Sequence, residues 1–321
     1  KPYYYGGLLN IYKLAHQVRA DLNKPGELSA AEDRFLSARK KLLDEGGGMV
    51  SIYYHPCEFV HKEFWDAVNF RNGANPPREQ WQKPPQKTNE ESQTSYDIFE
   101  KYVRFIKRFA DVRFITATEA AKLYRDRAQG RKFTPAELKA LAADVGEGVT
   151  FQNRDDYALS ASEVFALLND YVVLKTAGQD VPGLELKGTP NGPSSPVAPL
   201  AEAVTTDDSQ LARTAADVAS YLKKQGRVPA SVWLGSTPVP PESYLRALAE
   251  VVPLLAEGKP LPKTIEVKPA KMAAAKYVAD DDPKLWGWII FPKGFRAPAM
   301  MDLAKRQAWT LKPALLDKNA E

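Results

Sequence analysis

Three consecutive glycines, Gly46-Gly47-Gly48, are followed by Met49-Val50-Ser51-Ile52-Tyr53-Tyr54 and then by His55-Pro56. The glycines stop any helix that precedes them. The run after them is almost continuously apolar and rich in β-branched and aromatic residues, which predicts a strand buried on both faces of a parallel sheet. Pro56 keeps the residue before it out of the helical region, so the strand is expected to end on a histidine of fixed direction. Such strand ends line the sites of α/β barrels and open parallel sheets. The fold class expected for this part of the chain is therefore α/β.

The flanking segments fit that rhythm. Ser29-x-x-Glu32 reads as a capping box opening a helix over 29–45, with Phe35, Leu36, Leu42 and Leu43 on a helical spacing. From Cys57 to Glu91 the periodicity is lost among prolines, glycines and asparagines, which predicts a long loop with a helical turn at 64–69. Its aromatics, Phe59, Phe64, Trp65, Phe70 and Trp81, favour an ordered loop. A helix is expected over 93–109, a second strand at Val112–Thr116 and a helix over 118–127. Two strands cannot close a sheet. Together with an opening Lys1-Pro2-Tyr3 that reads like the interior of a domain, this predicts a fragment or processed form, with residues 1–128 as a first unit.

Beyond it the character becomes helical. Residues 129–177 form a connector with two capping boxes, Thr134-x-x-Glu137 and Ser160-x-x-Glu163. Residues 178–207 are rich in Pro, Gly and Ser and read as a linker that buries no core. Residues 208–321 hold a helix over 211–225 ended by Gly226, an extended stretch at 228–234 and a helix from Pro240/Pro241 to Leu255, which Pro253 is expected to bend or end early. An aromatic tail follows, from Trp286-Gly287-Trp288 to Trp309.

At 321 residues, with 44% hydrophobic and 26% charged residues, the chain has the composition of a globular protein of two ordinary domains. Its apolar runs fall far short of the roughly 20 residues that cross a bilayer. Forty-four basic and 40 acidic residues are mixed along the chain, which argues against nucleic acid as a partner. A lone cysteine, Cys57, excludes an internal disulfide and a cysteine-based zinc cluster.

The sharpest chemical candidate is His55. At a strand end it serves as a metal ligand, as a general acid or base, or as a structural histidine bonded to backbone. Glu58 and Asp66 are close enough in sequence to orient an imidazole. His61 fits no zinc spacing and is expected to be exposed, His16 reads as a surface loop residue, and Cys57 reads as a small buried residue with no partner for nucleophilic work. Trp65, Trp81, Asn69, Asn75 and Arg78 could wall a sugar site, since aromatic faces and amide or guanidinium forks suit carbohydrate rings; the alternative is a loop packing its own aromatics.

The run Ser51-Ile52-Tyr53-Tyr54-His55-Pro56-Cys57-Glu58-Phe59, then Phe64-Trp65-Asp66-Ala67-Val68-Asn69-Phe70 and Val112-Arg113-Phe114-Ile115-Thr116-Ala117, resembles the C-terminal part of polysaccharide deacetylase-like proteins. The resemblance covers residues 1–125. It implies the last part of a distorted (β/α) barrel, a divalent, zinc-like metal, and a role for His55 in protonating the leaving amine. The family's early Asp-Asp motif and its His-x-x-x-His ligand pair are missing, so the carry-over stops at His55. Residues Ala216–Val232 and Ser243–Ala249 are similar to a pseudomurein-binding repeat, a module that attaches proteins to cell-wall glycopeptide.

These readings give two expectations. In the first, the chain is part of a metal-dependent hydrolase that N-deacetylates a cell-wall or extracellular glycan, with His55 as acid and Glu58, Trp65, Asp66, Asn69 and Arg78 as substrate contacts; lacking the metal motifs, it is inactive alone. In the second it is a non-catalytic envelope protein that binds wall glycan; apart from these two, a third reading is a barrel remnant that has lost its metal and only scaffolds partners. Either places it in the cell envelope or outside the cell.

Overall fold

The computed structural model describes residues 1–11 and 18–317. Helices carry the fold and the strands are short, so the class is α/β in the general sense of mixed helix and strand. The largest sheet has three antiparallel strands, in the order 312–313, 3–5, 8–10, and the remaining sheets have two strands each. No closed barrel exists among the described residues.

One apolar core belongs to α1 (Leu28–Asp44) and α3 (Asn89–Ile106). Phe35 and Ala38 from the first meet Ile98, Tyr102 and Phe105 from the second, with Val18, Leu22 and Phe59 alongside. The capping box expected at Ser29 does not form. The chain enters α1 through a 3-10 turn, Pro25–Glu27, so the helix begins at Leu28 with no side chain over its first turn. The next long helix starts earlier than its apolar pattern suggested, because Thr88 and Glu91 make a reciprocal capping box.

Neither expected strand of this region joins a sheet among the described residues. In Met49–Tyr54 only Ser51 makes a β-bridge, and the run lies half-buried, with Val50, Ile52 and Tyr54 packed on the α1/α3 core. A helix surface covers one side of it where a second strand was expected. Val112–Thr116 is unpaired, and Phe114 is largely exposed. Thr116 instead caps α4 (Ala117–Leu123). Between them the loop 57–88 is ordered by short turns at Pro56–Phe59, α2 (Trp65–Asn69), Arg71–Gly73 and Arg78–Gln80.

The second core is built by α5 (Pro135–Ala143), α6 (Ala161–Thr176), α7 (Asp208–Gln225) and α8 (Pro241–Ala256). Both capping boxes read from the sequence, at Thr134 and Ser160, are present. The fully buried Tyr244 hydroxyl donates to Asn169 Oδ1 at 2.8 Å, and Asn169 Nδ2 donates to the Ala215 carbonyl at 3.0 Å, so one polar chain ties α8, α6 and α7 together. Gly226 closes α7 in the left-handed conformation, φ 62°. A hairpin, 232–234 with 237–239, leads into α8, and Pro253 sits in the last turn of that helix without ending it early. A last short helix, α9 (Pro298–Arg306), precedes Trp309, which is buried in this core.

The Pro/Gly/Ser-rich segment does bury core residues: Val181 and Leu186 are in the second core, and Leu184–Glu185 pairs with Lys132–Phe133. Composition hid this, because a few well-spaced apolar residues anchor a segment whose other residues are mostly polar or small. Gly192 lies so close to the backbone of α9 that a β-carbon there would run into the Arg306 carbonyl oxygen. Gly192→Ala should therefore cost about 1–3 kcal/mol of unfolding free energy in urea titration; no loss would show that this segment is not held down.

Near the chain ends, charge is buried deliberately. Lys312 is 1% exposed and its Nζ donates to both oxygens of the fully buried Glu163, at 2.7 and 2.8 Å, with Asp126 Oδ2 at 2.6 Å. Glu163 also accepts from Ser160 N–H, Thr189 Oγ1 and Gln129 Nε2.

Candidate active site around His55

α1 ends as Gly46 and Gly47 turn through positive φ, and the extended run 49–54 then delivers His55 to the protein surface. His55 itself is extended, φ −94° and ψ 136°, as its following proline requires, and Pro56 opens the 3-10 turn that carries Glu58. That turn brings Glu58 back onto the histidine. Glu58 Oε1 accepts from the His55 backbone N–H at 3.0 Å and lies 2.8 Å from His55 Nδ1.

Arg19 fixes the carboxylate from the other side. Its Nη1 donates to Glu58 Oε1 at 3.2 Å, its Nη2 donates to Oε2, and Nη1 also reaches the Tyr53 carbonyl at 3.3 Å. The guanidinium lies 4.4 Å from the Tyr54 ring centroid. Burial works to raise the Glu58 carboxyl, but the hydrogen bonds from Arg19 and from His55 outweigh it and hold the group below its ordinary value. An ionised carboxylate only accepts, so His55 Nδ1 carries a proton, and Nε2 is the nitrogen with no hydrogen bond among the described residues. The imidazole is 45% exposed while Glu58 is 12% exposed, which puts the open edge of the ring toward solvent. Lys87 supports the turn from beneath, donating to the Glu58 carbonyl and to Ser95 Oγ.

Aromatic rings frame the imidazole. Tyr53 and Phe64 meet it edge-on, at 5.6 and 5.1 Å between centroids, and Trp288 from the tail stands 5.8 Å from Phe64. Trp288 Nε1 donates to Asp66 Oδ2 at 2.8 Å, and the Asn72 N–H donates to the Ile289 carbonyl. The tail thus docks on the loop and becomes part of the wall.

The other expected contacts divide. Glu58 is joined to His55, and Asp66 sits one ring away, holding Trp288. Trp65 and Trp81 are about half exposed and pack together with Phe70, so they form a separate aromatic ledge. Asn69 is buried with its amide spent on the Trp65 and Gln82 backbone, which makes it a pin of the loop with nothing left for a ligand. Arg78 is exposed on its own turn, outside the His55 hydrogen-bond network. His61, expected to be exposed, is half-buried in a β-bridge with Gln86. Burial pushes the Cys57 thiol up, against a nucleophilic role. His16 lies outside the described residues. Arg19 and Phe64 were not read as site residues, although Phe64 stood in the resembling run. The tail's aromatics near glycine and proline, Trp288 among them, offer a sugar-stacking platform or an anchor for the terminal segment, but nothing local links Trp288 to His55 or marks Arg19.

The fit of a divalent metal here is poor. Both Glu58 oxygens and His55 Nδ1 are engaged, leaving one nitrogen, and no group of three His, Cys, Asp or Glu able to hold a metal occurs among the described residues. No helix among them is long and apolar enough to cross a membrane. Comparison with family models, with curated proteins and with solved structures gives no match for this chain.

The Arg19–Glu58 lock carries a pH signature. Because the folded carboxyl titrates below its ordinary value of 4.5, its stabilisation is present above about that pH and is lost as pH falls through the folded value. The difference in thermal midpoint between the protein and Glu58→Gln should be constant near neutrality and shrink below about pH 4.5. A gap independent of pH would show that Glu58 is not held by charge.

Proposed function

We propose that the His55 site is the acid side of a carbohydrate amide hydrolase of the polysaccharide deacetylase type. Water gives a proton to a base outside this relay as it adds to the acetyl carbonyl carbon, the carbon–nitrogen bond breaks, and His55, protonated on both nitrogens for this step, gives its Nε2 proton to the departing amine, leaving acetate and an amino sugar, with the base's proton returning to the histidine. The observation that carries the reading is the relay Arg19–Glu58–His55, which fixes the imidazole by Nδ1 and presents Nε2 beside an aromatic wall. The rings of Tyr53, Phe64 and Trp288 give a sugar an apolar face to rest on.

In this reading residues 1–128 correspond to the closing part of a deacetylase-type (β/α) barrel, and the base and the ligands of a divalent metal belong to residues other than these. A glycan substrate places the protein in the cell envelope or outside the cell. The test is acetate release from N-acetylglucosamine oligomers by the protein expressed from its complete reading frame. Release that depends on His55 is expected; a complete protein that hydrolyses no N-acetylated glycan overturns the reading.

A second reading, non-catalytic glycan binding, is favoured by the half-exposed rings of Trp65, Trp81 and Trp288 and by the α7–hairpin–α8 unit that resembles a pseudomurein-binding repeat. Retention on cell-wall glycan without turnover, lost in Trp288→Ala, would select it over the first.

A further inference from the structure

The buried trio of Lys312, Asp126 and Glu163 sets an amine against a carboxyl group in a place that water scarcely enters. Lys312 Nζ lies 2.6 Å from Asp126 Oδ2 and 2.7 and 2.8 Å from the two oxygens of Glu163. The lysine side chain is 1% exposed and Glu163 is fully buried, while Asp126 is 16% exposed and so sits at the edge. The Tyr4 ring covers the amine, its centroid 5.6 Å from Nζ, and Tyr4 pairs with Lys312 across the antiparallel strands 3–5 and 312–313. Asp126 Oδ1 is held separately: it accepts from the Ala128 N–H at 3.1 Å, which leaves Oδ2 turned to the lysine.

One cation between two carboxylates leaves three ionised groups and one net negative charge in poorly solvated surroundings, at a large desolvation cost. Joining Lys312 to Asp126 keeps the net charge and removes two of the three ionised groups. We propose that Lys312 and Asp126 condense to a side-chain amide, with Glu163 as the proton carrier. The ammonium passes one proton to Asp126 Oδ2 and, as the bond from Nζ to Cγ forms, a second to Glu163. The negative charge that develops on Oδ1 falls on the Ala128 N–H. The bond from Cγ to Oδ2 then breaks, Glu163 returns its proton to Oδ2, and one water leaves by the exposed flank of Asp126. Atoms and charges balance with no other reactant. The fixed contact of amine and carboxyl replaces the encounter that makes amide formation slow in solution. Glu163 ends ionised, with its donors from Ser160, Thr189 and Gln129 and a new amide N–H beside it. Until the bond closes the trio is the ion pair described above, and unfolding measured before then reads the ion pair alone. The bond is independent of the His55 chemistry.

Intact-mass spectrometry of the whole protein, kept under native conditions for several days, is the experiment. The mass should fall by one water, and fragmentation after digestion should find the peptides that carry residues 126 and 312 joined. Lys312→Met and Asp126→Ala should keep their full masses. Glu163→Gln leaves both partners in place and should slow the loss by at least about 10²-fold, the contribution of a positioned acid or base. The unaltered protein decides the matter even where a variant folds poorly. A mass that stays at the value of the sequence, or a water loss that maps elsewhere or persists in Asp126→Ala, overturns the proposal.

Discussion

Lys312→Met should lower the free energy of unfolding by about 3–5 kcal/mol, the cost of removing one partner from a buried ion pair. The methionine fills the space of the lysine stem, so lost packing contributes little. What remains is a fully buried Glu163 and a mostly buried Asp126 that lose their shared cation. The other donors to Glu163, from Ser160, Thr189 and Gln129, cannot neutralise two carboxylates. Urea titration of Lys312→Met, Glu163→Gln and the double variant measures this directly. The double variant should lose less than the sum of the singles, because each single includes the loss of the Lys312–Glu163 interaction and the double loses it once. High salt should change the loss little, since the pair is screened from solvent. A loss below about 1 kcal/mol, the range of exposed pairs, would mean that water reaches the cluster.

His55→Gln should reduce acetate release by the complete protein by about 10²–10⁴-fold, the usual contribution of a positioned acid or base. Glutamine retains hydrogen-bonding capacity toward Glu58 but has no group that titrates near neutrality, so the aromatic wall and substrate affinity should survive. The fall is therefore expected in kcat with KM nearly unchanged, since proton transfer is made only in the transition state. Trp288→Ala should show the opposite split, raising KM with a smaller change in kcat. An unchanged rate in His55→Gln would remove the histidine from the chemistry, whereas a rise in KM alone would reassign it to binding.

Much of the helical part of the molecule was legible because its signals are local. A hydroxyl at Thr134 or Ser160 followed three residues later by glutamate, a glycine at 226 and a proline at 241 each fix a helix end through groups within one turn. Met49–Tyr54 and Val112–Thr116 show the limit of the same method. Their side chains suit a strand, but a strand also needs a neighbour, and here the first packs on α1 and α3 while the second crosses an exposed surface. The segment 178–207 failed for the converse reason: its few apolar residues, among them Val181 and Leu186, fall where the second core has room for them.

The candidate site divides in the same way. His55 and Glu58 are three residues apart, so the proline-led turn that joins them was implicit in their spacing. Arg19 and Trp288 reach the site from distant stretches of chain, and a contact of that range leaves no periodicity or motif to read. Asn69 illustrates a residue whose chemistry suits a sugar but whose hydrogen bonds are consumed at home.

The docking of Trp288 on Asp66 and Phe64 has a consequence for how the protein comes into being. During synthesis the N-terminal region leaves the ribosome first and can begin to fold alone. His55, Glu58 and Arg19 are then already present, but the ring that completes the wall is still to be translated. A nascent chain would thus carry an unfinished wall until residue 288 has emerged, and premature termination before that point would yield a product with the histidine in place and one side of its surroundings open.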